Sequence, residues 1–106
     1  KLTLENNDYR RVIFTGNFSQ LVLMSIPVGE DIELEVHSDV DQFFRIEQGK
    51  GELRIGKMQE KRYFFEDNFA MIIPSNIFHR IINTGNIPLK LYTIYSPPQH
   101  EKGKVE

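Results

Sequence analysis

Hydrophobic residues occur along the chain in short runs rich in Val, Ile, Leu, Phe and Tyr, and Gly, Pro, Asn or Asp separates each run from the next. Such runs predict strands, and their even spacing is typical of an all-β sandwich or barrel. Helix signals are nearly absent. The predicted strands are Arg11–Thr15, Gln20–Ile26, Asp31–His37, Gln42–Gln48, Gly51–Gly56, Arg62–Phe65, Ala70–Ile73, Phe78–Asn83 and Leu89–Tyr95.

Alternation within the predicted strand Asp31–His37 divides its side chains between two faces, because successive strand residues point to opposite sides. The even positions, beginning with Ile32, are aliphatic, whereas the odd positions are Glu33, Glu35 and His37. Carboxylates and imidazoles can bind protons or metal ions. The acidic face is therefore either a candidate site or a solvated outer surface.

The predicted strand at residues 78–83 places His79 on a face with aliphatic neighbours. This position predicts an imidazole that is buried or faces a pocket. The same alternation applied to Gln42–Gln48 places Gln42 on a face with apolar residues. We expect four apolar residues to line the barrel interior: Phe44, Ile46, Ile77 and Ile81.

The chain has 106 residues, which fits one domain spanning residues 1–106. Thirteen Lys and Arg against fifteen Asp and Glu give a net charge of −2, which argues against a nucleic-acid partner. No apolar run is long enough to span a bilayer, so we expect no membrane segment. The absence of Cys excludes a thiolate site and fits a cytoplasmic location. Residues 97–106 are polar and are expected to leave the core, and His100 there is assigned no role.

Two groups of residues have a spacing that resembles the two sequence motifs of the cupin superfamily. The first group comprises Gly29, Glu35, His37, Gln42 and Gly49, and the second comprises Pro74, Asn76, His79 and Asn83. The resemblance covers nearly the whole chain, and more narrowly the chain looks like the short single-domain cupins known as mannose-6-phosphate isomerase-like. It implies a jelly-roll β-barrel, also called a double-stranded β-helix, with a metal ion held inside.

The resemblance implies a ligand set of Glu35, His37, Gln42 and His79 for a divalent ion. Zn, Mn, Fe and Ni all accept oxygen and nitrogen donors of these kinds. Three positions depart from the family motifs: Glu35 replaces a His, Gln42 replaces a Glu, and Asn76 replaces a Gly. Asn tolerates the left-handed backbone conformation that Gly often adopts, so we expect the turn to form.

Each candidate ligand also has a structural alternative. Glu35 and His37 could be solvated residues of an acidic strand, and His79 could be a core residue that bonds only to backbone. Gln42 could orient a water molecule or a substrate instead of binding the ion. Glu33 lies on their predicted face but is expected to be exposed.

We expect a metal-dependent enzyme of the mannose-6-phosphate isomerase-like type that acts on a carbonyl or sugar-like small molecule. A metal-dependent oxygenase is the enzymatic alternative, because two His and one carboxylate are the donors of many non-haem iron sites. A non-catalytic module that binds a small ligand, or a purely structural cupin, is the other alternative. Anionic substrates would meet Arg45, Arg54 or Arg80, unless these residues are simply solvated.

A homodimer is also expected from the sequence. The apolar segment Val12–Phe14 of the first predicted strand, together with the outward-facing Phe43, suits either the extension of a sheet between two copies or the packing of two apolar faces.

Overall fold

The computed structural model describes residues 1–106, and its strands form two antiparallel sheets. The predicted all-β class is confirmed. One helix, α1 (Leu2–Glu5), was not predicted from the sequence; it has four residues, and no helix of the protein is long enough to cross a membrane. The strands are β1 (Arg10–Thr15), β2 (Gln20–Ile26), β3 (Asp31–Glu35), β4 (Asp41–Gln48), β5 (Gly51–Ile55), β6 (Lys61–Phe65), β7 (Ala70–Ile73), β8 (His79–Asn83) and β9 (Leu89–Ser96).

The two sheets pack face to face as a jelly roll, as predicted. The five-stranded sheet has the order β1-β2-β9-β4-β7, and the four-stranded sheet has the order β3-β8-β5-β6. Strands adjacent along the chain therefore often belong to different sheets, and this crossing closes the sandwich into a barrel. Strands β1 and β7 form the edges of one sheet, and β3 and β6 form the edges of the other.

The register of the strands gives the barrel interior a polar end and an apolar end. Tyr95 pairs with both Gln20 and Gln42 in the five-stranded sheet, and Glu35 pairs with His79 in the other. Directly paired residues have their side chains on the same face. Four of these five residues are almost completely buried, and Glu35 is the exception. The apolar end contains Met24, Ile32, Ile46, Ile81 and Leu91.

An irregularity in β3 changes which of its side chains face the interior. Ile32 pairs with Ile81 and Glu35 pairs with His79, so two residues of β3 oppose one residue of β8. A bulge of this kind breaks the alternation of side chains by one position. The prediction that Ile32 and Glu35 lie on opposite faces is therefore wrong, and both face the interior.

Three of the four residues expected in the interior are fully buried: Phe44, Ile46 and Ile81. The fourth, Ile77, is 36% exposed, and its predicted place in the interior is wrong. Strand β8 begins at His79, so Ile77 lies in the preceding loop, where the alternation of the strand does not apply.

The polar segment 97–106 lies outside the hydrophobic core, and its last residues, 104–106, pair with β1. The Val12 N–H donates to the Lys104 carbonyl at 2.8 Å, and the backbone of Arg11 forms an isolated antiparallel β-bridge with that of Val105. Residues 101–106 are exposed, but they cover the backbone edge of β1 from Arg10 to Val12. This pairing protects part of a sheet edge that would otherwise be open.

Candidate metal centre

Three predicted ligands meet at the polar end of the barrel. Glu35 ends β3 just after the bulge, His37 lies in the loop that follows, and His79 begins β8. Glu35 Oε1 is 3.3 Å from His37 Nε2 and 3.4 Å from His79 Nε2. One potential ligand atom from each residue lies within 4.8 Å of those from the other two, which is the spacing expected around a single ion.

The protonation of His79 follows from its backbone contact. Its Nδ1 lies 3.0 Å from the Ile77 carbonyl oxygen, which can only accept a hydrogen bond, so Nδ1 carries the proton. When the imidazole is neutral, the lone pair is therefore on His79 Nε2. That atom, Glu35 Oε1 and His37 Nε2 are all buried without a hydrogen-bond partner. Buried polar atoms rarely lack a partner, and these three fit a cation between them.

A hydrogen bond from the loop before β8 holds His37 in place. The Asn76 N–H donates to the His37 carbonyl oxygen at 2.8 Å. Asn76 has φ of 66°, in the left-handed region that Gly or Asn adopts most readily. Asn in place of the family's Gly is thus compatible with the turn, and the turn links the two sequence motifs.

Gln42 contributes a fourth polar atom to the same end of the barrel. Its side chain is 1% exposed, and its Nε2 donates to Thr93 Oγ1 at 3.0 Å. This bond orients the amide and leaves Gln42 Oε1 buried without a partner. The role of Gln42 as a direct ligand stays a prediction.

The electrostatics of the centre favour a positive ion. Burial by itself raises the pKa of Glu35, but hydrogen bonds and positive charge from the His37 and His79 imidazoles, in the form that carries a proton on Nε2, outweigh burial and lower this pKa to about 2. Glu35 is therefore a carboxylate at neutral pH. Two imidazoles, one carboxylate and an amide oxygen form a donor set that suits a divalent transition metal.

Tyr95 belongs to this centre and was missed by the sequence analysis. It is 1% exposed, and its ring meets the His37 ring edge-on at 5.7 Å between centroids. Burial, the largest effect, raises the pKa of Tyr95 and keeps the phenol neutral. The inward residues of β9 change from Leu89 and Leu91 to Thr93 and Tyr95, and this change of polarity could have revealed the polar end.

His100 was assigned no role from the sequence, but its ring packs on Tyr95 with 4.9 Å between centroids. Gln20 fixes the backbone at this point: its Oε1 accepts from the His100 N–H at 3.0 Å, and its Nε2 donates to the His100 carbonyl at 2.8 Å. His100 Nε2 is buried without a partner. No local pattern around His100 predicts this contact, because Gln20 is far away in the sequence.

The other candidate residues lie outside this cluster. Glu33 is exposed, as expected. The three arginines considered for an anionic substrate each pair with a carboxylate. The pairs are Arg45 with Glu47 at 3.2 Å, Arg54 with Glu52 at 2.7 Å, and Arg80 with Asp31 at 2.7 Å.

Comparisons with known proteins agree with this architecture. Residues 22–95 match the sequence model of the family described as "Cupin domain". The uncharacterized protein YrkC of Bacillus subtilis is 47% identical over 99% of this chain, which spans 58% of the length of YrkC. The uncharacterized protein L612 of Acanthamoeba polyphaga mimivirus is 45% identical over 98% of this chain, which spans 66% of L612.

Solved structures show the same fold. The crystal structure of BH2720 from Bacillus halodurans has a TM-score of 0.96 and 46% identity, covering 98% of this chain and 81% of that one. KdgF from Halomonas sp. has a TM-score of 0.74 at 17% identity, covering 85% of this chain and 80% of that one, a likeness of fold alone. With the two motifs on the strands that build the polar end, and with the family match over residues 22–95, the chain belongs to the cupin family.

Proposed function

We propose that this chain is a metal-dependent enzyme that acts on a small molecule bearing a carbonyl group. The observation that carries the proposal is the meeting of Glu35 Oε1, His37 Nε2 and His79 Nε2, each buried without a hydrogen-bond partner. A purely structural barrel gains nothing from bringing these three unpaired polar atoms together, because each costs about 1–3 kcal/mol.

The residues of the polar end have different roles in the proposed reaction. Glu35, His37 and His79 would hold the ion, with Gln42 as the fourth donor. A divalent ion bound there would act as a Lewis acid toward a carbonyl oxygen. His100 offers a buried imidazole nitrogen that can accept a proton. A proton acceptor and a polarised carbonyl are what an aldose–ketose isomerisation needs, which supports the mannose-6-phosphate isomerase-like form of the proposal.

A metal-dependent oxygenase is the second candidate function. The observation in its favour is the cluster of two imidazoles and one carboxylate, Glu35, His37 and His79. These donors are the ones that hold non-haem iron in many oxygenases. A non-catalytic cupin that only binds a small ligand would use the same cluster without turnover.

Elemental analysis of the chain purified without added metal tests the proposal first. We expect about one divalent ion per chain, and a melting temperature that falls when a chelator removes the ion. The His79→Ala variant is the control and should purify without the ion. A wild-type chain that neither carries nor takes up Zn, Mn, Fe or Ni would contradict the proposal.

A substrate panel on the metal-loaded chain then separates the candidates. Interconversion of aldose and ketose sugar phosphates would support the isomerase, and oxygen uptake with dicarbonyl compounds would support the oxygenase. Binding of these compounds without turnover would support the non-catalytic module. The cytoplasmic location and the small-molecule partner stay predictions.

A further inference from the structure

A polar cleft opens between the edge strands β1 and β3, on the side of the barrel that Glu35 lines. The cleft has a volume of about 410 Å³, which is enough for a small molecule. Arg10, the first residue of β1, is the only cationic residue among those that line it. The cleft therefore has one group that is suited to binding an anion.

The Arg10 side chain leaves a buried donor unused. Six buried side-chain atoms in the protein lack a hydrogen-bond partner, and five of them belong to residues that the proposed function uses. The sixth is Arg10 Nε, on a side chain that is 14% exposed. A buried donor on a charged group is costly to leave unpaired, because it has given up its hydration. An acceptor from outside the chain would remove this cost.

The guanidinium group of Arg10 is held so that one of its edges stays open. Its Nη1 donates to Glu106 Oε1 at 2.6 Å, and its Cζ lies 5.3 Å from the centre of the Tyr9 ring. Nη1 makes the only hydrogen bond of this side chain, so the edge formed by Nε and Nη2 has no partner. That edge presents two parallel N–H groups, which match the two oxygens of a carboxylate.

The carboxylates around the cleft restrict the charge of a bound anion. Asp31 pairs with Arg80 at 2.7 Å, and Glu35 faces the two imidazoles of the metal centre. Glu30 and Glu33 also line the cleft but are exposed, so water and salt screen their charges. The repulsion that remains grows with the charge of the ligand, so it opposes a phosphate dianion about twice as much as a monocarboxylate.

We infer that the β1–β3 cleft binds a small molecule through a carboxylate group, which accepts two hydrogen bonds from Nε and Nη2 of Arg10. This inference goes beyond the proposed function, because Arg10 is not a candidate metal ligand and the carboxylate site needs no metal ion. Glu106 uses only Nη1, so the ligand adds to the Arg10–Glu106 pair without replacing it.

The test is a titration followed by NMR, with acetate as the probe and acetamide as its uncharged counterpart of the same shape. The signals to follow are the Nε–H of Arg10 and the backbone N–H groups of Ile32 and Glu33, which line the cleft. We expect acetate to shift these signals saturably and to bind about tenfold more tightly than acetamide, because its hydrogen bonds to Arg10 are charge-assisted. Inorganic phosphate should bind more weakly than acetate.

Two substitutions of Arg10 and one of its neighbour show whether Arg10 is responsible, with the backbone signals as the readout. Arg10→Lys keeps the positive charge but lacks the two parallel N–H groups, so acetate binding should weaken about tenfold. Arg10→Gln removes the charge as well, and the acetate-dependent shifts should disappear. Arg11→Gln is the control and should bind acetate as the wild type does, because Arg11 is exposed, pairs with Asp8 and lies outside the cleft.

The inference is wrong if acetate causes no saturable shift, if acetamide binds as tightly as acetate, or if phosphate binds more tightly than acetate. It is also wrong if both Arg10 variants bind acetate like the wild type. Loss of acetate binding in His79→Ala but not in the Arg10 variants would place the acetate on a metal ion and overturn the inference in the same way.

The proposed function stands or falls separately. A chain that takes up no metal would overturn the proposed enzyme and leave carboxylate binding at Arg10 intact. Arg10→Lys keeps the test decisive if Arg10→Gln does not fold.

Discussion

At the residue scale, the two ring nitrogens of His79 have different surroundings, and this difference bears on whether the residue is structural or a metal ligand. Its Nδ1 donates to the Ile77 carbonyl, whereas its Nε2 has no hydrogen-bond partner although the residue is 1% exposed. A histidine buried only for packing or backbone bonding would be expected to satisfy both nitrogens. The free nitrogen instead points to the Glu35 carboxylate, at 3.4 Å.

His79→Ala should abolish metal binding while leaving the barrel folded. The metal-free variant should lose about 1–3 kcal/mol of unfolding free energy, because the Ile77 carbonyl loses its donor. The fully buried Phe44 is the comparison: Phe44→Ala should lose about 3–5 kcal/mol and keep the metal-binding residues. Elemental analysis and urea unfolding of the metal-free proteins measure both effects. Full metal content in His79→Ala would rule out the ligand role.

Gln42→Ala should weaken metal binding less than His37→Ala does, because a neutral amide oxygen is the weakest of the four donors. We expect a loss of about tenfold in affinity for Gln42→Ala and a larger loss for His37→Ala. Competition with a chelator of known affinity measures both, with Gln48→Ala in the same strand as the control. Equal losses in Gln42→Ala and His37→Ala would show that Gln42 is as strong a ligand as the imidazole.

At the scale of elements, the bulge in β3 brings Glu35 into the candidate metal centre. A regular strand with Ile32 opposite Ile81 would place Leu34 opposite His79 and turn Glu35 outward. The extra residue between Ile32 and Glu35 brings the carboxylate inward beside His79 instead. One inserted position therefore lets a single short strand contribute to the apolar end through Ile32 and to the polar end through Glu35.

Deletion of Glu33 should leave the metal centre intact. With one residue fewer, β3 would pair regularly with β8 and Glu35 would still lie opposite His79. Insertion of one Ser between Glu33 and Leu34 is the matched change, and it should remove the ion because it displaces Glu35 by another position. Metal content, with circular dichroism to confirm folding, distinguishes the two variants. A folded deletion variant without metal would contradict the role given to the bulge.

At the scale of the whole molecule, the sandwich has two open sides with different properties. The β1–β3 side is polar, and Arg10 there pairs with Glu106 at 2.6 Å. The β6–β7 side is apolar and uncharged. Of the candidate ligands, Glu35 lines the polar side, and none lines the apolar side.

We expect the chain to form a homodimer through β1. Residues 104–106 already pair with the backbone of Arg10 and Val12, so the contact should use the exposed side chains of Ile13 and Phe14 instead of extending the sheet. Light scattering at high protein concentration should show a dimer, and Phe14→Ser should shift it toward the monomer, whereas Val28→Ser in the β2–β3 loop should not. A monomeric wild type would contradict the prediction.

The sequence by itself determined the fold class and the strands. All nine predicted strands exist, and two of them, Gln20–Ile26 and Ala70–Ile73, agree residue for residue. Strand formation depends on local composition and on turn residues, and both are determined by residues close together in the sequence. The spacing of the two motifs also identified Glu35, His37 and His79. The fold brings these residues together, because the motif spacing places them at the ends of strands that meet in the barrel.

Only the tertiary structure decided which faces those residues occupy and what surrounds them. The β3 bulge, the exposure of Ile77, the contact of His100 with Tyr95 and the apolar side between β6 and β7 all depend on pairings between residues distant in sequence. A shift of one residue in such a pairing moves a side chain from one face of a sheet to the other. Periodicity within a single strand contains no information about its partner's register, so the geometry of the site had to come from the folded barrel.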